Sequence, residues 1–413
     1  MVAPRQIAAT DIFSSSGAFA ISPTIAGLGD SITANNGGGN KNAIGFLDWA
    51  AVLSRQRVSF DASLNFGVAG QTSAQILARV GAVVSAAPTF CTVLAGTNDT
   101  SLTAAQTIAN LDAIYAALQQ AGIIVIAIPI TPRSTGTTAQ RLHMVQVNDW
   151  IRRRRFTLKN LHVLDATQIY GDSAWTPRAN YASDGLHPTV LGAYRIGKAL
   201  AALITTLIPC EPAIAVNSLD IFDATDNPRG NLASNGILSG TAGTFPAGFT
   251  GALADNTFVN TNTLLGSSVV LSKSTLADGR VAQRVQWSGS FTGGTATFQL
   301  ATNVASASTK VLTGDKVEAW VEIEAAAGAA AHVELALYTV WAAGNNTALE
   351  LQHTSADAPP DEAWSGILRT PAFVMPDAAT TISLIVQFFS YGTSGTVAGD
   401  FKIGPGKICK VLP

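Results

Sequence analysis

Five short β-branched runs, at 24–28, 64–68, 90–95, 123–129 and 161–164, alternate with helical patterns at about 44–56, 72–86, 103–121, 138–157 and 190–207. Strand then helix, repeated along one stretch, predicts an α/β fold: a doubly wound, five-stranded parallel sheet with helices on both faces. Ile123-Ile124-Val125-Ile126-Ala127-Ile128 is apolar on both sides, as a central parallel strand must be. Ligands in such sheets bind beyond the carboxyl ends of the strands. Ser31 follows the first run, Gly70 the second, Asn98 the third and residues 129–133 the fourth, so polar candidates fall on one edge.

After Ile208-Pro209-Cys210-Glu211-Pro212 the texture changes, and Gly, Thr and Asn rise. Val317, Ala319, Val321 and Ile323 alternate with Glu318, Trp320, Glu322 and Glu324. Val333, Leu335 and Leu337 repeat the pattern, as do Ile382, Leu384, Val386 and Phe388. Period-two runs at this spacing predict an antiparallel sandwich of about eight or nine strands, which suits a jelly roll. The expected division is a Ser-rich tail or linker at 1–22, an α/β domain at 23–212 and a β-sandwich at 213–413.

Charged residues make up only 13% of the chain, about half the usual share. Residues 1–214 carry 15 Lys and Arg against 11 Asp and Glu, a net +4; residues 215–413 carry 10 against 16, a net −6. Neither half is basic enough for nucleic acid. Arg152-Arg153-Arg154-Arg155 forms no stripe, because consecutive helical residues point around the circumference. It is expected at a solvated end or against the acidic half. No run reaches the roughly 18 apolar residues of a membrane span, and 199–209 is too short. No charged start followed by an apolar run marks a signal peptide. The three cysteines exclude a disulfide scaffold and a zinc ribbon. Cys91 is expected to be a buried thiol, and a Cys210–Cys409 bridge stays open.

Residues 1–210 contain no Glu, so carboxylate chemistry there must use Asp. Thr24-Ile25-Ala26-Gly27-Leu28-Gly29-Asp30-Ser31 reads as a buried strand ending in a turn that presents a serine. Ser31 there is either a helix cap or a nucleophile. Acyl transfer needs a base, an orienting carboxylate and oxyanion donors as well. His187 can be the base, and Asp184, three residues earlier, can fix its tautomer. The backbone N–H groups of Ser31 and Gly70 and the amide of Asn98 can point at one oxygen. Asp30 and Asp99 are read as structural, and His143 and His162 as a surface and a structural residue. No spacing among them suggests a metal site.

Gly29-Asp30-Ser31, Asn65-Phe66-Gly67-Val68-Ala69-Gly70, Gly96-Thr97-Asn98-Asp99 and Asp184-Gly185-Leu186-His187-Pro188 resemble, in order, the four blocks of the SGNH (GDSL) hydrolases. The resemblance covers about residues 23–209. It implies a flavodoxin-like α/β/α sandwich and a serine esterase that uses no metal or cofactor. Ser31 would be the nucleophile, His187 the base and acid, and Asp184 its orienting partner. Ser31, Gly70 and Asn98 would form the oxyanion hole. Asn35, Asn36 and Asn40 in the loop after the serine, Arg133, and Trp175 and Tyr181 before the histidine are candidates to touch substrate.

Asn231-Leu232-Ala233-Ser234-Asn235-Gly236, with Phe245-Pro246-Ala247-Gly248-Phe249, is similar to the start of jelly-roll carbohydrate-binding modules. Trp320, on the polar phase of its strand, is the sugar-stacking candidate, with packing as the alternative. Together these predict an esterase that deacetylates a carbohydrate, extracellular or virion-associated as in a bacteriophage tail. Two alternatives stay open. One is a short-chain lipase, thioesterase or phospholipase acting on another small ester. The other is a glycan-binding protein with an incidental site. A homo-oligomer is compatible, though no heptad run supports one.

Overall fold

The computed structural model describes residues 23–37, 40–212, 214, 217–353 and 357–411, so the expected tail at 1–22 lies outside the described residues. Contacts divide the chain into two compact units that change over after Pro212; residues 40–42 cluster with the second.

The first unit is an SGNH-like domain with a parallel five-stranded sheet. Its strands are β1 (Ile25–Gly29), β2 (Asn65–Gly67), β3 (Phe90–Leu94), β4 (Ile124–Ala127) and β5 (Leu161–Val163). They lie in the order β2-β1-β3-β4-β5, every pair parallel, the doubly wound flavodoxin order. β1 and β3 are buried along their whole length, which is why they read as continuous apolar runs. The helices are α1 (Ser31–Ala34), α2 (Phe46–Leu53), α3 (Ser73–Leu77), α4 (Val80–Ala86), α5 (Ala104–Gln120), α6 (Thr138–Arg154), α7 (Ala166–Tyr170) and α8 (Val190–Leu207). Thr72, Thr103 and Thr137 start α3, α5 and α6 with full capping boxes, each paired with a Gln three residues on.

The helical pattern at 72–86 is two helices, not one. The chain breaks at Ala78-Arg79, where the Arg79 guanidinium turns back to bond the strand ends, Phe66 O at 2.7 Å and Gly29 O at 2.9 Å. A second correction concerns α8. At 18 residues and mean hydropathy 1.3 it is long and apolar enough to cross a membrane. Here it is a core helix: Leu200, Ile196 and Ile204 are buried in the first unit, and Tyr194 meets Trp49 of α2 edge-on at 5.2 Å. The four arginines find separate partners within this unit. Arg152 pairs with Asp165, Arg153 with Asp149 and Arg154 with Asp112, and Arg155 lies over Phe156.

The second unit is all β. Its strands are β6 (Ala242–Thr244), β7 (Phe249–Gly251), β8 (Leu253–Thr263), β9 (Ser268–Thr275), β10 (Val281–Thr292), β11 (Ala296–Asn303), β12 (Lys316–Ala325), β13 (His332–Trp341), β14 (Gly344–Glu350), β15 (Trp364–Arg369), β16 (Phe373–Val374), β17 (Ala379–Ser390) and β18 (Ser394–Lys410). One sheet runs β15-β12-β18-β10-β9-β7 with β16 on β12; the other runs β14-β13-β17-β11-β8-β6. From β10 to β13 the chain alternates between the sheets, β14 stays beside β13, β15 crosses back to β12, and β18 returns beside β10 while β17 returns beside β11. That is jelly-roll connectivity of eight strands. The count of thirteen among the described residues exceeds the expected eight or nine because short strands and β8–β9 widen each sheet.

Phe298 and Phe388, opposite each other on β11 and β17, stack at 4.8 Å, and Trp287 of the facing sheet meets Phe298 edge-on at 5.1 Å. The asparagines of the 231–236 run are staples: Asn231 bonds Gly406 O and Ile408 N on β18, and Asn235 bonds Ser239 O and Asp255 O. Residues 40–42 belong here because Lys41 pairs along β14, through Leu349 O and the Gln352 N–H. Its ammonium meets Glu350 at 2.7 Å, with both side chains buried. All three cysteines are free, Cys91 and Cys409 buried and Cys210 exposed.

Candidate active site

At the end of β1, Asp30 caps α1 by accepting the Ile32 N–H at 3.1 Å. Ser31 is therefore the first helical residue, not the cap, and its hydroxyl is free for other work. That hydroxyl lies 2.8 Å from His187 Nε2. His187 Nδ1 lies 2.7 Å from Asp184 Oδ2. The other Asp184 oxygen accepts the backbone N–H groups of Leu186 at 3.0 Å and His187 at 2.8 Å, which folds 184–187 into a tight turn. Burial is the largest single influence on Asp184 and raises its pKa, but the His187 and Leu186 hydrogen bonds together outweigh it and hold the carboxyl at about 2. It is a carboxylate across the working range and can keep Nδ1 protonated, so that Nε2 faces the serine as an acceptor.

The three oxyanion candidates come from three strand ends. Ser31 opens α1. Gly70, in the loop after β2, has φ +75° and open space where a side chain would stand. Asn98 lies after β3; its amide donates one N–H to Gln71 O at 3.1 Å, beside Gly70, and keeps a second.

Sequence reasoning missed Arg79, which ties Gly29 O, Phe66 O and the Gln71 side chain together. It thereby joins the β1 end before Ser31 to the loop carrying Gly70. An arginine interrupting an apolar helical pattern was the available signal. Asp99 accepts the Ser73 N–H, the Ser73 hydroxyl and the Thr107 hydroxyl, fixing the Asn98 loop to α3 and α5. His143 departs from the surface position expected of it: its Nε2 reaches Thr107 Oγ1 at 3.2 Å because α6 packs beside α5. His162 is half-buried in β5, and burial lowers its pKa.

The weaker substrate candidates scatter. Asn36 is buried and bonds Thr33 O and Leu47 N, joining α1 to α2, so it does not face substrate. Asn40 accepts the Leu349 N–H in the second unit. Asn35 caps the end of α1. Trp175 is 37% exposed, and Tyr181 lies near Tyr170. Arg133 reaches Thr97 O, next to Asn98. Trp320, in the second unit, has Arg369 over one face at 4.7 Å and its indole N–H on Glu318. No three His, Cys, Asp or Glu converge as a metal set among the described residues.

Asp30 has no exposure, and burial pushes its pKa up to about 6, against the Ile32 N–H, Thr97 and the nearby His187. A folded pKa above the unfolded one means stability is fullest in acid and is lost as pH rises through about 6. Asn in its place can keep the cap and does not titrate. Asp30→Asn is therefore expected to gain on the natural chain by up to about 3 kcal/mol between pH 4 and 7. Urea titrations at the two pH values check this; parallel behaviour of the two proteins would mean Asp30 ionises without penalty.

A doubly wound sheet with serine, histidine and aspartate in hydrogen-bonded series at its carboxyl edge defines a hydrolase of the serine type. Residues 28–195 match the family described as GDSL-like Lipase/Acylhydrolase, so the first unit carries a GDSL-like lipase/acylhydrolase domain. No curated protein matches the chain. Among solved structures it is similar to a member of the lipolytic protein G-D-S-L family from Veillonella parvula DSM 2008 (19% identity, 44% of this chain and 98% of that one, TM-score 0.37). It is also similar to a carbohydrate esterase family 3 protein from Talaromyces cellulolyticus (20% identity, 45% and 98%, TM-score 0.37). A mutant of Axe2, an acetyl-xylooligosaccharide esterase from Geobacillus Stearmophilus, matches at 18% identity over 44% and 94%, with TM-score 0.38.

Proposed function

We propose that this protein is a serine esterase that removes acetyl groups from a carbohydrate. The observation that carries the reading is the unbroken series from Ser31 Oγ through His187 to Asp184, at 2.8 and 2.7 Å. In it, His187 Nε2 takes the Ser31 proton as Oγ attacks the ester carbonyl carbon. The carbonyl oxygen becomes an oxyanion and receives the N–H groups of Ser31 and Gly70 and the free N–H of Asn98. Collapse breaks the ester C–O bond, and His187 gives its proton to the leaving alcohol. Water then attacks acyl-Ser31, His187 takes its proton, and Oγ leaves with that proton while the acid is released. Asp184 keeps its charge throughout and stabilises the imidazolium.

A small acyl group and a polar alcohol are supported by the surroundings. Asp184 and Gly70 are exposed, and the cavity after β3 sets Thr97, Thr131, Arg133 and Gln140 among Leu102, Ile130 and Met144, so its lining is mixed and not wholly apolar. The jelly roll, with its likeness to carbohydrate-binding modules, supports a glycan substrate. Acetate release from acetylated polysaccharides is the test. Turnover of acetyl esters should exceed that of esters of eight carbons or more by at least about tenfold. Equal or faster turnover of the long esters would sink the deacetylase reading.

A further inference from the structure

We infer that the cavity between the loop after β3 and the start of α6 reads a carboxylate on the sugar that carries the ester; this rests on the esterase reading above and names its substrate class. The cavity, about 240 Å³, is lined in part by Thr97, Thr131, Arg133, Gln140, Arg141 and His143. Thr97 and Asp99, both on its wall, bracket Asn98 in sequence. Ser134, next to Arg133, donates its N–H to Gly185 O at 2.9 Å, inside the His187 turn. Arg133 therefore lies between the turn that holds the base and the loop that holds the oxyanion donor.

Its guanidinium is poorly occupied. The one hydrogen bond is a long one, 3.4 Å to Thr97 O, and Nε has no partner. Arg141 meets only carbonyls, Gly136 O at 3.2 Å and Ala174 O at 3.3 Å. Among the described residues neither arginine has a carboxylate partner, whereas Arg152, Arg153 and Arg154, at the far end of the helix that carries Arg141, each meet an aspartate. The one carboxylate on the wall, Asp99, is already taken by Ser73 and Thr107. Thr131 is 1% exposed, yet its hydroxyl has no partner. A buried orphan hydroxyl is costly unless something completes it.

Two guanidiniums against one aspartate leave this wall one net positive charge. That matches a carboxylate, which the planar guanidinium fork grips with two parallel bonds, rather than a phosphate dianion. Thr131 adds a neutral donor. The ligand that fits is the carboxylate of a uronic or similar acidic sugar at, or next to, the acylated residue.

The full chain hydrolysing 4-nitrophenyl acetate is challenged with free galacturonate, galactose and galactose 6-phosphate. Galacturonate should inhibit at about 10- to 100-fold lower concentration than galactose. Arg133→Met should erase that difference, and Arg133→Lys should restore only part of it, since a point charge lacks the fork. If Arg133→Met does not fold, Arg141→Met makes the same comparison. With polymer, methyl-esterifying the carboxyls of acetylated polygalacturonate should lower kcat/KM for acetate release by a similar factor. Equal inhibition by galactose and galacturonate, stronger inhibition by the phosphate, or indifference to methylation would each overturn the carboxylate site while leaving the esterase standing. Absence of 4-nitrophenyl acetate hydrolysis in the natural chain would instead remove the esterase reading, and this inference with it.

Discussion

Ser31→Ala is expected to lower kcat for 4-nitrophenyl acetate by roughly five to six orders of magnitude while leaving the fold intact. The size follows from the unit the three residues form: without Oγ, the His187–Asp184 pair has no nucleophile to activate. The intact fold follows from the cap. Asp30, not Ser31, satisfies the Ile32 N–H, so removing the hydroxyl should change stability by less than about 0.5 kcal/mol. Asp184→Asn gives the companion result. The carboxylate that fixes the Nδ1 proton would be gone, and a loss of about 10⁴-fold is expected. Kinetics beside circular dichroism check both; residual activity in Ser31→Ala equal to the natural chain's would end the serine mechanism.

Gly67→Ala should damage folding and activity together. Gly67 ends β2 opposite Gly29, the residue before the Asp30–Ser31 turn. A Cβ there would stand 2.1 Å from Ala34 N and 2.5 Å from both Ala34 Cα and Thr33 C, all backbone atoms of α1. Backbone cannot swing aside as a side chain can, so α1 must move. Overpacking of this kind costs about 3 kcal/mol or more. A shift of α1 of the order of 1 Å would carry Ser31 away from His187 and cost activity about a hundredfold. Gly70→Ala is the contrast: nothing lies within 4 Å of its Cβ. Only the left-handed φ opposes it, at about 1–2 kcal/mol, and the donating N–H stays. Thermal melts and kcat of the two variants should separate close approach from backbone conformation.

The features legible in the sequence were those written in local patterns. Continuous apolar runs marked β1, β3 and β4 because parallel strands are covered on both faces. Alternation marked β12, β13 and β17. The polar blocks at the strand ends stood out against those runs. What was not legible depends on partners far along the chain. Arg79 breaks a helix because its guanidinium meets Gly29 O, 50 residues away in sequence. Asn36 looked like a loop residue open to substrate, but it is buried between α1 and α2. The apolar stretch 199–209 looked too short to span a membrane because Tyr, Arg and Lys precede it; the helix itself begins at Val190. The cavity holding Arg133 and Arg141 joins the loop after β3 to the start of α6, and no spacing in one segment announces it.

The place of β18 bears on how the chain is made. It sits between β10 and β12, pairing Gln283 with Ile403 on one side and Val317 with Lys410 on the other. A central strand of the jelly roll thus follows all its partners in the chain, and it must close over about a hundred residues of earlier chain. Contacts of such separation form slowly. The first unit has no such debt: β1 to β5 and the Asp184–His187 turn are all synthesised before the second sheet has its middle. The sheet of the first unit can therefore form during translation, while the sandwich waits for β18.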